Sequence, residues 1–338
     1  MRSIFGNALM WLAVLGLWGL AAARAPAVAQ AKLEIKMTRS PSVIYMPCHL
    51  MEDLKLVEKH AAALGVANVK VEWLRLNGGA ATDALLSNNV DVVDTGSGLL
   101  LLAWDRTKGG VKGIVATSAL PLVLVSRDPN IKTLADYKES DRIAVPTLHT
   151  SVQAVLLSIA AAKQFGDAKK FHPNQVLMAH PEGAQAMLNP SHEVTSHFSA
   201  PPYFQIAMRA NPAVHVVTTG EAILGSPITN AAMFTTTKFA EANPKIVQAI
   251  RLAHMEAFDM IRNRTRDALE IYKRLDGDKT AVDDLVELLK QPGMMGYDPK
   301  PQGTMKFAEH LFATGVLKTK PASWKDYYLE MAHDLDGS

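Results

Sequence analysis

What most narrows the folds open to this chain is a regular alternation of short β-like runs with stretches of helical periodicity. Leu33–Met37 reads as a strand, and Met46–Leu64 as a helix with Leu50, Leu54, Val57, Ala61 and Leu64 on one face, ended by Gly65. Val69–Leu74 is the next strand, Gly78-Gly79 opens a helix over 80–87, and Val90–Asp94 is a strand that breaks at Gly96-Ser97-Gly98 into an apolar helix, Leu99–Trp104. Strands at 111–116 and 122–126 follow. A second series starts near Ile131: a strand at Arg142–Val145, a loop, and a helix Ser151–Phe165 whose buried stripe is Val152, Val155, Leu156 and Ile159. Then come strands at 175–178, 194–199 and 214–217 with a helix at 182–188, a return through Met233–Thr236, and helices at 239–262, 265–275, 279–290, 303–314 and 323–333. Strand, crossover helix, strand is the mark of a mostly parallel sheet covered by helices. The late helices, polar on one side, are expected to pack on the first half of the molecule.

One internal echo supports two similar halves. Residues 83–97 (DALLSNNVDVVDTGS) and 185–199 (QAMLNPSHEVTSHFS) share a pattern of short helix, polar turn and strand ending in small polar residues.

The N-terminus bounds the compartment. Residues 3–23 carry no charge, follow Arg2, and run into small residues ending in Ala27-Val28-Ala29. A basic start, an apolar stretch and an A-x-A site describe a secretory signal peptide cleaved after Ala29. An uncleaved anchor is the rival, because the stretch is about the ~20 residues that span a bilayer. Cleavage removes Arg2 and Arg24 and leaves 33 basic against 33 acidic residues in a 309-residue mature chain. That balance gives no sign of nucleic-acid or membrane-surface binding. The length is enough for two lobes. A single cysteine, Cys48, excludes an intramolecular disulfide framework and reads as a small buried apolar residue.

Two α/β lobes joined by crossing strands bury a ligand between them, outside the carboxyl ends of the strands where loops enter helices. The segments so placed are Arg39–Tyr45, Gly78–Ala80, Thr95–Gly98, Thr147–Ser151 and Ser199–Tyr203, rich in Gly, Ser, Thr and Pro. Helix starts there offer N–H groups that favour an anion by ~0.3–1 kcal/mol each. Arg39 is the only full positive charge in these loops and is a candidate clamp for a carboxylate or sulfonate. Thr147, Thr150 and Ser151 offer hydroxyls, with Thr150 or Ser151 equally an N-cap. Ser97 lies between two glycines that let backbone approach a ligand. Tyr45 and Tyr203 are candidates to sandwich a flat ligand, and His149 to sense its charge. His192, Glu193 and His197 lack the spacing of a helical zinc pair, and GxSxG, GxxxxGK[ST], CxxC and HExxH do not occur. No catalytic residue, metal or cofactor is expected.

Three stretches, ALLSNNVDVVDTGSGLLLLA at 84–103, IKTLADYKESDRIAVPTLHTSVQAVLLSIAAAKQFG at 131–166 and TTTKFAEANPKIVQAIRLAHMEA at 235–257, resemble the nitrate/sulfonate/taurine-type solute-binding proteins of ABC importers. The resemblance covers roughly residues 33–290 and rests on the order and spacing of all three. It implies the type II periplasmic binding protein fold: two lobes, each a mostly parallel sheet flanked by helices, joined by crossing strands. The lobes would be 30–122 with 220–338, and 123–219, after a signal peptide at 1–29. It implies first-lobe contacts at Ser40 to Tyr45, Gly79 to Ala80 and Gly96 to Ser97, and second-lobe contacts at Thr147 to Ser151 and Ser199 to Tyr203. It also implies a periplasmic monomer that captures a small-molecule ligand and delivers it to an ABC transporter permease in the inner membrane; Arg39, the helix-start hydroxyls and the two tyrosines point to a small organic anion, a sulfonate or carboxylate with or without an aromatic ring. Two other readings share the fold: a thiamine-pyrimidine-synthase-like enzyme or pyrimidine-precursor binder, against which the export signal and lone Cys48 argue, and a ligand-presenting sensory module.

Overall fold

The computed structural model describes residues 32–338, so the expected leader, its cleavage after Ala29 and the alternative anchor lie outside the described residues. Ten strands alternate with thirteen α-helices along the described chain. The first run is β1 (Leu33–Thr38), α1 (Met46–Asp53), α2 (Leu56–Ala63), β2 (Val69–Leu74), α3 (Gly78–Leu86), β3 (Val92–Gly96), α4 (Ser97–Arg106) and β4 (Val111–Ser118). The second is β5 (Val123–Ser126), β6 (Arg142–Val145), α5 (Val152–Phe165), β7 (Gln175–Leu177), α6 (His180–Leu188), β8 (Val194–Ser199), α7 (Tyr203–Ala210), β9 (His215–Thr219) and α8 (Gly220–Leu224). The chain then returns through β10 (Ala231–Thr236) to α9 (Thr237–Ala242), α10 (Pro244–Asn263), α11 (Thr265–Asp276), α12 (Val282–Leu289) and α13 (Thr304–Ala313).

These strands form two five-stranded sheets of the same topology, ordered β2-β1-β3-β10-β4 and β7-β6-β8-β5-β9. In the first, β1 runs parallel to β2 and β3, and β10 lies antiparallel between β3 and β4. In the second, β6 runs parallel to β7 and β8, and β5 lies antiparallel between β8 and β9. Each antiparallel strand is the one the chain lays down as it crosses between sheets. The internal echo falls at matching places: residues 83–97 end α3 and form β3, and 185–199 end α6 and form β8, each helix lying on the strand that follows it.

Several elements differ from the expectation. The helix expected over 46–64 breaks where Lys55 takes a left-handed φ of 50°, so α1 packs on both α10 and α11 while α2 is re-aimed along α10. The long helix 239–262 divides at Asn243-Pro244, because proline has no N–H to continue the ladder and instead opens a new first turn. Residues 323–333 form two 3-10 turns, since Tyr328 is extended and bridges to Gly113 at the edge of β4, with Leu329 N–H donating to the Gly113 carbonyl at 2.8 Å. The helix α7 was not anticipated, although Phe204 and Ala207 carry its buried face at helical spacing. Nor does the helical tail keep to one side. α10 and α11 cover α1, but α13 touches both α4 and α5, with Ser158 and His310 2.8 Å apart.

The two crossings are welded by one side chain. Asn230, 4% exposed, accepts from the Ser118 hydroxyl at 2.9 Å and the Leu120 N–H at 3.2 Å, and its amide donates to the Leu120 carbonyl. Its backbone carbonyl receives the Ser97 N–H at 3.2 Å, tying the start of α4 to the same point. Replacing Asn230 with Ala strands the buried Ser118 hydroxyl and the Leu120 N–H and carbonyl in the first crossing segment. Asn230→Ala should lower stability by ~2–4 kcal/mol in urea titration; a loss under ~0.5 kcal/mol would show that the crossings do not depend on it.

Candidate functional site

Five of the six parallel strands of the two sheets, all but β8, end at one cavity of about 260 Å³. β1 ends into Ser40, Pro41, Ile44 and Tyr45; β2 into Asn77 and Gly78; β3 into Thr95, Gly96 and Leu99. From the second sheet, β6 ends into Pro146, Thr147, Ser151, Val152 and Gln153, and β7 into Leu177, Ala179 and His180; Asn230 closes the wall from the crossing. Helices α3, α4, α5 and α6 therefore all begin at the cavity. The first turn of each helix carries N–H groups that no intrahelical carbonyl can satisfy, and their partial positive charge points toward this space.

The lobes meet closely around it. A Cβ on Gly98 would lie 2.8 Å from the Thr150 carbonyl, and one on Gly78 3.1 Å from the Thr147 hydroxyl. Ser42, held at φ 102°, donates its hydroxyl to the Pro201 carbonyl at 2.6 Å. The structure is thus a closed form.

Of the residues singled out from sequence, Ser40, Tyr45, Gly96, Thr147 and Ser151 line the cavity. Ser40 donates to the carbonyls of Asp94 and Leu76, and Ser151 caps α5 by accepting the Ala154 N–H at 3.2 Å. The Tyr45 phenol, bonded to Thr95 and Ser40, is held well above its ordinary range by burial and by the nearby Asp94 carboxyl. The others lie elsewhere. Gly79 and Ala80 sit in the first turn of α3 just behind Gly78. Ser97 is buried and donates to the Thr229 carbonyl, and Ser199 is buried with its hydroxyl on the Ala200 carbonyl. Thr150 donates to the Leu148 carbonyl at 3.2 Å. His149 stacks on His172 with ring centroids 4.1 Å apart. Tyr203 stacks on His180 at 6.0 Å rather than facing Tyr45 across a ligand.

Arg39 is committed to the first lobe. Its guanidinium pairs with Glu52 of α1 and donates to the Leu275 carbonyl at 3.3 Å, with 11% of the side chain exposed. The wall of the cavity consequently contains no lysine, arginine, aspartate or glutamate.

Sequence reasoning passed over Gln153, His180, Asn77 and Asn230, while Thr95 fell within a candidate segment without being singled out. Gln153 and His180 are joined at 3.1 Å, and His180 Nδ1 lies 3.0 Å from His197 Nε2, forming a buried chain from the cavity into β8. Burial pushes His180 down to about 4, and burial with the neighbouring His180 ring holds His197 well below its ordinary value. Both imidazoles are neutral at pH 7. The available signal was the position of His180 at the start of α6, directly after β7.

No family model matches the chain, and no curated protein sequence matches it. Solved structures do. The alkanesulfonate-binding protein SsuA from Xanthomonas axonopodis pv. citri, bound to MOPS, superposes with a TM-score of 0.65 at 16% identity, covering 90% of this chain and 98% of that one. A Candida albicans gene product described as exhibiting the generic periplasmic binding protein fold superposes at 0.63 with 13% identity, covering 88% and 96%. The fold is that of the two-lobed, type II periplasmic binding proteins. The periplasmic aliphatic sulphonate binding protein SsuA from Escherichia coli is similar at 0.64 and 16% identity, over 90% of this chain and all of that one (100%).

Two predictions follow from this geometry. His180 is depressed in the folded state, so the unfolded chain binds its proton more readily between pH 6.5 and 4, and stability is lost as pH falls through that window. The Asp94 carboxyl, pushed up to about 7 by burial, contributes with the opposite sign, so the informative quantity is a difference between proteins. Relative to wild type, His180→Asn should gain ~2–3 kcal/mol in urea stability between pH 7 and pH 4.5; parallel profiles would rule out a buried neutral imidazole. Arg39→Ala should cost ~1–3 kcal/mol of stability through the lost Glu52 pair while leaving ligand affinity within about threefold; a loss above about thirtyfold would return Arg39 to the ligand.

Proposed function

We propose that this chain is the exported substrate-binding component of an ABC-type importer, capturing a small organic anion, a sulfonate or carboxylate, between its lobes and delivering it to an inner-membrane permease. The lobes are residues 30–122 with 220–338, and 123–219. The protein acts as a periplasmic monomer.

One observation carries this reading: four helix starts and a ring of neutral donors from both lobes converge on a closed cavity whose wall has no charged side chain. An anion there is held by oriented N–H groups and hydroxyls, which discriminate by hydrogen-bond geometry as well as charge. Hydroxyls of Thr95, Thr147 and Ser151 and the amides of Asn77 and Gln153 suit tetrahedral or planar oxyanion oxygens, and Ile44, Leu99, Val152 and Leu177 suit an apolar tail. Similar structures include two that bind alkane- or aliphatic sulfonates. Because Tyr203 is stacked on His180, an aromatic ring between two tyrosines is not favoured. Binding rather than catalysis fits a wall that brings together no nucleophile and base among the described residues; Cys48 is buried outside it.

Ligand that binds only the closed form raises stability by mass action, ~4 kcal/mol at a thousandfold excess over Kd. A thermal-shift screen across short alkanesulfonates, taurine, nitrate, aliphatic and aromatic carboxylates and neutral pyrimidines should show concentration-dependent shifts for anions. Shifts confined to neutral compounds would contradict the anion assignment. Closure itself is tested by Gly98→Val, whose side chain cannot fit against the Thr150 carbonyl. At a strain of ~1–3 kcal/mol, affinity should fall ~10–100-fold with the ligand-free melting temperature nearly unchanged; unaltered affinity would mean that binding does not require this approach of the lobes.

A further inference from the structure

We propose that Cys48, Asp94 and His254 form a binding site for one divalent transition-metal ion, zinc by its chemistry, inside the first lobe behind the cavity wall. The three residues come from α1, β3 and α10, are each 0% exposed, and place their donor atoms within 4.8 Å of one another. The Cys48 thiol donates to Asp94 Oδ2 at 2.8 Å, a short hydrogen bond for a sulfur donor.

The surroundings ask for a cation. Among the described residues no lysine or arginine pairs with Asp94, although the Arg39 charge acts on the neighbouring Cys48, and burying a carboxylate without a paired cation is costly. Thr117 donates to Asp94 Oδ1 at 2.9 Å and sits 3.4 Å from His254 Nε2, while His254 Nδ1 is buried without a hydrogen-bond partner. A second observation is independent of the three. The Tyr328 hydroxyl is fully buried, has no partner, and is near enough to Asp94 for the carboxylate to act on the phenol. Its ring is admitted only because residue 113 is glycine, where a Cβ would lie 2.5 Å from it. Thr117 thus brings one further oxygen to the group, and the unpartnered Tyr328 hydroxyl lies in the same buried region.

Thiolate, imidazole and carboxylate are all zinc donors, taken at ~2.0–2.3 Å, and three protein ligands leave the fourth tetrahedral position to a water or another small ligand. A dication with one thiolate and one carboxylate is neutral overall, which matches the apolar surroundings. Thr117, bonded to the Asp94 carboxylate, would orient it from outside the ligand set. The ion would staple α1 and α10 to β3. Those elements adjoin Tyr45 and Thr95, so it would hold the first-lobe wall of the cavity in place without touching the ligand.

The test is metal content and cobalt spectroscopy on the purified wild-type chain. Protein produced with zinc in the medium should carry about one equivalent after gel filtration. Co²⁺ added to chelator-treated protein should produce thiolate-to-cobalt charge-transfer absorption with tetrahedral visible bands, raise the melting temperature, and be displaced by Zn²⁺. Cys48→Ser should abolish the charge-transfer band, and Thr117→Val, a gentler change, should weaken Zn²⁺ binding ~10–100-fold. Sub-stoichiometric zinc, or cobalt bound without a thiolate band while Cys48 still titrates as a free thiol after unfolding, would overturn the site. Either negative result would leave anion capture in the cleft standing, because the thermal-shift screen reads a different part of the molecule.

Discussion

Helices begin with N–H groups that they cannot satisfy themselves, and here four helices begin at one space. That constraint organises the molecule. Each parallel strand must hand its chain to a helix at the carboxyl edge of its sheet, and the two sheets face each other along that edge. The cavity is therefore a product of topology before any side chain is chosen. What the side chains add is neutrality: Arg39 is held by Glu52, His180 is kept uncharged by burial, and the wall is left with hydroxyls, amides and oriented dipoles.

Closure follows from a second constraint, the pair of crossing segments. Both run from one sheet to the other, and both are fixed to Asn230, which also lines the cavity. A movement of the lobes that opened the cleft would pivot on these segments while the wall residues separated. Gly78 and Gly98 sit where the two lobes approach closely, and at Gly98 a side chain would collide with backbone. Small residues there are a requirement of the closed state, which is why glycine clusters at these loop ends.

The architecture was legible because the strand and helix periods alternate cleanly, and the repeat between 83–97 and 185–199 marked two equivalent halves that the paired sheets bear out. Loop placement was legible too, since Ser40, Tyr45, Gly96, Thr147 and Ser151 all reach the cavity. Side-chain direction was not. Arg39 looked free because Glu52, its partner, lies on a helix whose orientation depends on the break at Lys55. Tyr203 was expected to face a ligand, but it begins α7, and its ring settles on His180. His180 and Gln153 escaped notice because their meeting spans two different strand-to-helix turns of the second lobe. Cys48 was expected to be buried and apolar; it is buried, but its sulfur meets a carboxylate drawn from 46 positions away in sequence.

The decisive observation is amide hydrogen exchange with and without an anion found by thermal shift. If the helix starts hold the ligand, protection should concentrate at Gly79 and Ala80 of α3 and at Val152 and Gln153 of α5, together with the crossing segments around Asn230. Protection that appears elsewhere in the molecule, with those first-turn amides unchanged, would mean that the cleft is not where this protein meets its ligand.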